Sequence, residues 1–258
     1  MKIKVLYEDA NILAIDKPSG ILVHPAAEQA RYGAGPDEKT ILDIFKKKYP
    51  KLKIVHRLDR ETSGVLLLAK NKKAHEFLKS QFKNREVKKI YMAIVSGNVK
   101  NDRGVINKPI GRSPKDFRRR LSGRGARGEM REAVTEYRVL ERIHLPLRGR
   151  LGGGKLNSTS PQPLSKGEGV NFTYLEVRPK TGRTHQIRVH MKYLNHPVAG
   201  DSLYNPNGPL PNLPLIKGEE KGGGRMFLHA KSIEFRNLKG EIVKVESAIP
   251  EEFNKVVK

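Results

Sequence analysis

Apolar and polar residues alternate at period two in short segments along most of this chain, the spacing of strands with one buried face. Ile3 to Tyr7, Ile12 to Asp16 and Ile21 to His24 are rich in β-branched residues and broken by Asp9-Ala10-Asn11 and Pro18-Ser19-Gly20. That punctuation predicts a meander of three strands. Gly64 to Lys70 reads as a buried strand, and Lys88 to Ser96, Ala133 to Arg142, Phe172 to Arg178, Phe227 to Phe235 and Glu241 to Glu246 read as further strands. Helical spacing is confined to three stretches. Ile41, Leu42, Ile44 and Phe45 can share one side of a helix that ends at Tyr49-Pro50. Asn71 is placed to cap a helix bearing Ala74, Phe77, Leu78 and Phe82. Thr184 to Leu194 sets Ile187, Met191 and Leu194 on a core-facing stripe. Strands outnumber helices, so the expected fold is α+β on a mixed or antiparallel sheet.

The chain has 258 residues, enough for a sizeable core. Residues 25 to 39 read as a loop. Residues 146 to 170 and 205 to 225 are rich in Gly, Pro, Ser and Lys, contain no aromatic residue, and are expected to be exposed insertions. Both carry Pro-Leu-x-Lys-Gly-Glu, at Pro163 and at Pro214, which is too short to imply a repeat architecture.

Lysine and arginine number 51 against 27 acidic residues, a net charge of +24, which suits a polyanionic partner. The absence of cysteine excludes disulfides, thiolate metal sites and cysteine nucleophiles. Charges interrupt the apolar residues of the N-terminus, and the run Val65 to Ala69 is too short to span a bilayer, so a cytoplasmic protein without a membrane segment is expected.

Three segments could carry chemistry. In His56-Arg57-Leu58-Asp59-Arg60-Glu61-Thr62-Ser63-Gly64, an aspartate lies between two arginines on a loop ahead of a buried strand. The guanidinium groups favour the ionised form that a nucleophile or base needs. Spacing alone favours a structural salt bridge at a turn. In Thr181-Gly182-Arg183-Thr184-His185-Gln186-Ile187-Arg188-Val189-His190, Thr184 and Arg188 fall one helical turn apart, so Arg188 could reach a carboxylate or a phosphate. A basic surface helix would look the same. His185 and His190 do not make a zinc site, since no glutamate lies between them and no cysteine completes one. From Arg112 to Arg131, Lys115, Arg118, Arg119, Arg120, Arg124 and Arg127 lie among Gly and Ser with Phe117 as the only aromatic. This reads as a flexible loop for RNA phosphates that positions more than it specifies, with a merely solvated loop as the alternative.

Taken with Gly200-Asp201-Ser202-Leu203-Tyr204 and Asp16-Lys17-Pro18-Ser19-Gly20, these long ordered motifs closely resemble the RluA family of pseudouridine synthases. The resemblance runs from about Tyr7 to Glu246, apart from the two insertions. It implies one catalytic domain over 1–258, with a mainly antiparallel mixed sheet in two halves, flanking helices, an RNA-binding cleft between the halves, and no metal or organic cofactor. By the same resemblance Asp59 is the catalytic aspartate and Arg188 its basic partner. Tyr91 is the active-site tyrosine, and Leu228 is the apolar residue against the base. Arg57 matches the arginine that can fill the space of a flipped nucleotide, and Arg183 is an RNA-contact position.

The implied activity is isomerisation of uridine to pseudouridine in structured RNA. Pro109-Ile110-Gly111-Arg112 and Ala133 to Arg142 look most like members acting on large-subunit ribosomal RNA, although tRNA-modifying relatives share the core. An S4-type module precedes many catalytic domains of the family; here the pattern begins near Met1, so none is expected and RNA affinity falls to the catalytic domain. A monomer that does not bind DNA is expected. The rivals are an inactive RNA-binding protein of ribosome assembly, or an acid-using hydrolase, which would need a second carboxylate or a metal cluster.

Overall fold

A computed structural model describes residues 3–24, 39–123, 125–146, 169–208 and 225–257. Most of the loop at 25 to 39, most of both low-complexity insertions, and Arg124 lie outside these residues. No helix among the described residues is long and apolar enough to cross a membrane.

The architecture is the expected α+β. Strands β1 (Val5–Glu8), β2 (Ile12–Lys17), β3 (Lys53–Ile54), β4 (Ser63–Ala69), β5 (Lys88–Ser96), β6 (Arg103–Asn107), β10 (Val134–Pro146), β11 (Gly169–Pro179), β12 (Leu228–Arg236) and β13 (Ile242–Glu246) form one sheet. Its main path runs β1-β2-β4-β12-β5-β11-β10-β6. Every pairing is antiparallel except that of β12 with β4, where His229 lies opposite Ser63 and Ala230 opposite Gly64. That parallel joint unites the two halves of the sheet. All seven residues of β4 are buried, which explains its unbroken apolar run.

Helix α1 (Ile41–Lys46) opens with a capping box between Thr40 and Asp43 and packs Ile41 and Phe45 against Leu13, Leu66 and Leu68. Helix α2 (Lys72–Lys83) is capped by the Asn71 side chain and lays Ala74 and Leu78 on the sheet. Helix α3 (Gln186–Tyr193) buries Ile187 and Met191 against the other half.

Several expectations need correction. Ile21 to His24 is not a strand, because both edges of β2 are already taken by β1 and β4. Leu22 and Val23 are nonetheless buried, and the Leu22 carbonyl accepts the Ile41 N–H at the start of α1. Helix α3 begins at Gln186 and not at Thr184, since His185 adopts a left-handed conformation at φ 56°. Thr184 and Arg188 therefore share no helical face.

The arginine-rich stretch is a small sheet and not a flexible loop. Strands β7 (Ile110–Arg112), β8 (Arg120–Ser122) and β9 (Arg127–Arg131) pair in the order β8-β7-β9. Ile110 and Ala133 anchor it by packing against Val189, Leu203 and Tyr204. Strand β6 and helix α4 (Glu251–Val257) were not expected; α4 buries Phe253 and Val256 against Phe172 and Phe227. Residues 146, 169 and 170, assigned to an insertion, belong to a strand pair in which Pro146 lies opposite Gly169. The remaining tract joins β10 to β11.

Candidate active site

The loop from β3 to β4 carries Asp59, and residues ahead of α1 clamp it from behind. The Thr62 N–H donates to the Asp59 carbonyl, making a tight turn. Lys17, fully buried at the end of β2, donates its Nζ to the carbonyls of Pro18 (2.8 Å) and Arg60 (2.9 Å). The Gly20 N–H donates to the same Arg60 carbonyl, and Ser19 Oγ donates to the Glu61 carbonyl at 2.7 Å. The segment Lys17 to Gly20 thus grips the backbone just after the aspartate, at Arg60 and Glu61. Burial pushes the Lys17 ammonium down to about 7. Gly64 lets the loop enter the sheet: at φ 107° it faces the β12 backbone so closely that a Cβ would lie 2.2 Å from the Ala230 oxygen.

Arg188 rises from α3 beneath this loop and is almost completely buried. Asp201 holds it by a two-pronged ion pair, Nε to Oδ2 at 2.7 Å and Nη2 to Oδ1 at 2.8 Å. Asp201 Oδ1 also accepts the backbone N–H groups of Leu203 and Tyr204. The remaining terminal nitrogen, Nη1, donates to Asp59 Oδ2 at 3.2 Å, while Nη2 lies 3.7 Å from Glu61. The Tyr204 ring covers the guanidinium with 5.1 Å to its centroid. These partners outweigh burial and raise the pKa of Arg188.

Burial opposes charge on Asp59, but His185, Arg188 and Arg57 outweigh it and hold the carboxyl below its ordinary range. His185 is itself pushed down to about 4 by burial, so at neutral pH the two arginines carry that effect. Glu61 moves the other way, raised by burial and by the charges of Asp201 and Asp59. One carboxylate of the cluster is thereby kept ionised and its neighbour made easier to protonate.

Asp59, Arg188, Tyr91, Leu228, Arg57 and Arg183 line a single cavity of about 540 Å³. Tyr91 stands on β5, opposite Ala230 of β12, and Leu228 opens β12. Burial, with the nearby charge of Asp59, raises the Tyr91 phenol and keeps it protonated. Arg57 is exposed at the rim, and Arg183 is tied to the Glu132 carbonyl at 2.9 Å. Lys115, Arg118, Arg119, Arg120 and Arg127 do not line the cavity; they belong to the small sheet and its loop. Arg118 and Arg119 pair with Asp116, and Arg120 donates to the Phe117 and Arg119 carbonyls.

Sequence reasoning missed four basic residues of the cavity: Lys83, Arg85, Lys89 and Lys180. The cluster Lys83 to Lys89, with four cations in seven residues, was the available signal. Lys89 is pushed down to about 8 by burial and donates to the Thr181 carbonyl at 3.2 Å. The helix histidines have other work than metal binding: His190 Nε2 donates to the Lys108 carbonyl and its Nδ1 accepts from Thr135 Oγ1. Gln186 replaces a helix cap, its Oε1 accepting from Thr181 Oγ1 and from the Arg183 N–H.

A cavity with cationic walls, one apolar side and an ionised aspartate at its base suits a nucleoside drawn out of a folded RNA, and this defines the class as a base-modifying enzyme. The chain belongs to the RNA pseudouridylate synthase family, whose pattern matches residues 11–193. It is 34% identical over 264 residues to the ribosomal large subunit pseudouridine synthase D of Xanthomonas campestris pv. campestris, covering 99% of this chain and 68% of that protein. Against the protein of the same description from Borreliella burgdorferi it is 35% identical over 263 residues, covering 97% of this chain and 66% of that one. The chain thus spans about two thirds of the length of these relatives. Among solved structures, human RNA pseudouridylate synthase domain containing 1 superposes with a TM-score of 0.68 at 25% identity, over 96% of this chain and 83% of that one.

Proposed function

We propose that this protein isomerises uridine to pseudouridine in structured RNA, with large-subunit ribosomal RNA as its substrate and Asp59 as its catalytic carboxylate. The observation that carries this reading is the Asp59–Arg188 contact at 3.2 Å in a cavity that also holds Tyr91 and Leu228. Extruding the uridine costs a few kcal/mol of stacking. Stacking on Tyr91, an apolar wall at Leu228 and insertion of Arg57 into the vacated stack offset that cost. Asp59, ionised and without a proton to give, attacks the sugar or base, or removes the C2′ proton of the ribose. The glycosidic C–N bond breaks, uracil turns within the pocket and C5 bonds to C1′, with the Asp59 carboxylate released from its adduct in the nucleophilic routes or the proton returned to C2′ in the abstraction route, and the C5 proton leaves to restore the ring. Glu61, whose carboxyl is raised, lies near enough to the cluster to receive a proton.

The ribosomal target draws support from relatives named for the large ribosomal subunit. Phosphate contacts draw support from the small sheet, where Arg112 lies opposite Arg120 on one side and Arg127 on the other. Like charges directly across neighbouring strands repel, and a polyanion relieves them.

The decisive test is pseudouridine mapping on large-subunit ribosomal RNA and on tRNA incubated with the protein. Asp59→Asn should lower turnover by about 10²–10⁴-fold while RNA affinity stays within twofold. Modification of tRNA alone would overturn the target, and wild-type turnover by the variant would overturn the role of Asp59. A primary isotope effect with C2′-deuterated uridine separates proton abstraction from nucleophilic attack.

A further inference from the structure

Arg188 engages only Oδ2 of Asp59; the other oxygen, Oδ1, faces Nε2 of His185 at 3.9 Å. His185 is buried in the left-handed turn ahead of α3, and its ring meets Tyr204 edge-on with Nδ1 3.0 Å from the phenol oxygen. That oxygen already accepts the Arg120 N–H of β8 at 2.8 Å. A hydroxyl has one proton and two lone pairs, so the Tyr204 O–H remains to be donated and Nδ1 is there to accept it. The neutral ring then carries its proton on Nε2, directed at the carboxylate. The other tautomer would turn an Nε2 lone pair toward a negative oxygen. Both ends of the ring therefore select the same arrangement.

We propose that His185 is a positioning residue, fixed by Tyr204 with its Nε2–H aimed at Oδ1 of Asp59, and that this row ties the carboxylate to β8 of the arginine-bearing sheet. The inference rests on the function proposed above. His185 and Tyr204 act through Asp59, which meets the substrate. Among the described residues, the charged groups acting on the His185 ring include Asp59, Asp201, Arg188 and Arg120; the two aspartates favour its protonation, the two arginines oppose it, and burial, the largest influence, pushes it down to about 4 and leaves it neutral at pH 7. Strand β8 carries Arg120 in a row with Arg112, so a backbone shift as the small sheet takes up RNA reaches the Tyr204 hydroxyl directly.

Tyr204→Phe removes the hydroxyl and keeps the ring over Arg188. Turnover should fall about tenfold, the scale of coupling between neighbouring residues of one polar cluster, with KM for RNA unchanged. The acid limb of the single-turnover rate should move to higher pH, because the other tautomer becomes available and raises the Asp59 carboxyl. His185→Asn tolerates the left-handed backbone, and adding Tyr204→Phe to it should cost nothing further. In ¹⁵N spectra of the folded proteins, wild-type His185 should be protonated on Nε2 and bare on Nδ1, and the phenylalanine variant should mix tautomers. A proton on Nδ1 in the wild type, or Tyr204→Phe with wild-type turnover and an unmoved acid limb, overturns the proposal. A wild-type protein that makes no pseudouridine overturns the proposed function instead, while the spectra still decide the tautomer.

Discussion

Arg188 sits among three carboxylates, Asp59, Asp201 and Glu61, and is the only cation within ion-pair distance of all three among the described residues. Arg188→Ala leaves Asp201 buried and unpaired, so the fold should lose about 3–5 kcal/mol by denaturant titration. Asp59 is more acidic folded than unfolded, so it stabilises the protein above the ordinary carboxylate range, and that contribution disappears as pH falls through its lowered value. In the variant this acid transition should move to higher pH. Lys17 gives a slope of the same sign in a higher pH window. Its folded pKa of about 7 lies below its unfolded value of 10.5, so between these the unfolded chain binds the extra proton and stability rises with pH. Lys17→Met should flatten that rise by about one proton, read from urea midpoints between pH 7 and 10. Spacing alone showed Asp59 as an aspartate between arginines, with a salt bridge as the favoured reading, and only the resemblance of the longer motifs pointed to a catalytic role. Asp201 and Lys17 decide its surroundings, yet they lie 142 and 42 positions from it in the chain and carry no local sign of contact.

At the scale of elements, the meeting of β4 with β12 sets the geometry of the site. Gly64 has no room for a side chain there and holds a backbone angle that favours glycine. Gly64→Ala should cost about 3 kcal/mol and lower turnover by displacing the loop behind it, checked by unfolding and single-turnover rates together. Long strands with one buried face were legible from their alternation, and α2 from its stripe and its cap. The segment at Ile21 to His24 misled because burial, not pairing, accounts for its apolar residues. Strand β6 escaped because it is an edge strand with one buried residue, Ile106, among its five. The small sheet escaped for a related reason: all five residues of β9 are exposed, so no apolar pattern marks it.

At the scale of the whole molecule, some of the cations behind the net charge of +24 line the cavity and others stand on the small sheet. Arg112→Gln breaks the row of like charges on that sheet. The free protein should then melt higher in low salt, while the slope of log affinity against log salt falls by about 0.7–0.9 for each phosphate no longer neutralised. A variant with an unchanged slope would show that Arg112 does not meet phosphate. The sheet order has a consequence for how the molecule is made. Strand β12 is near the end of the described chain, yet it fills the gap between β4 and β5, and Leu228 arrives with it. During synthesis Asp59, Tyr91 and Arg188 leave the ribosome well before the strand that joins their two halves. Until then both strands present open edges, a slow and association-prone state set by distant pairing. Closure by β12 completes the sheet and the pocket in one event, so competence for chemistry coincides with the end of folding.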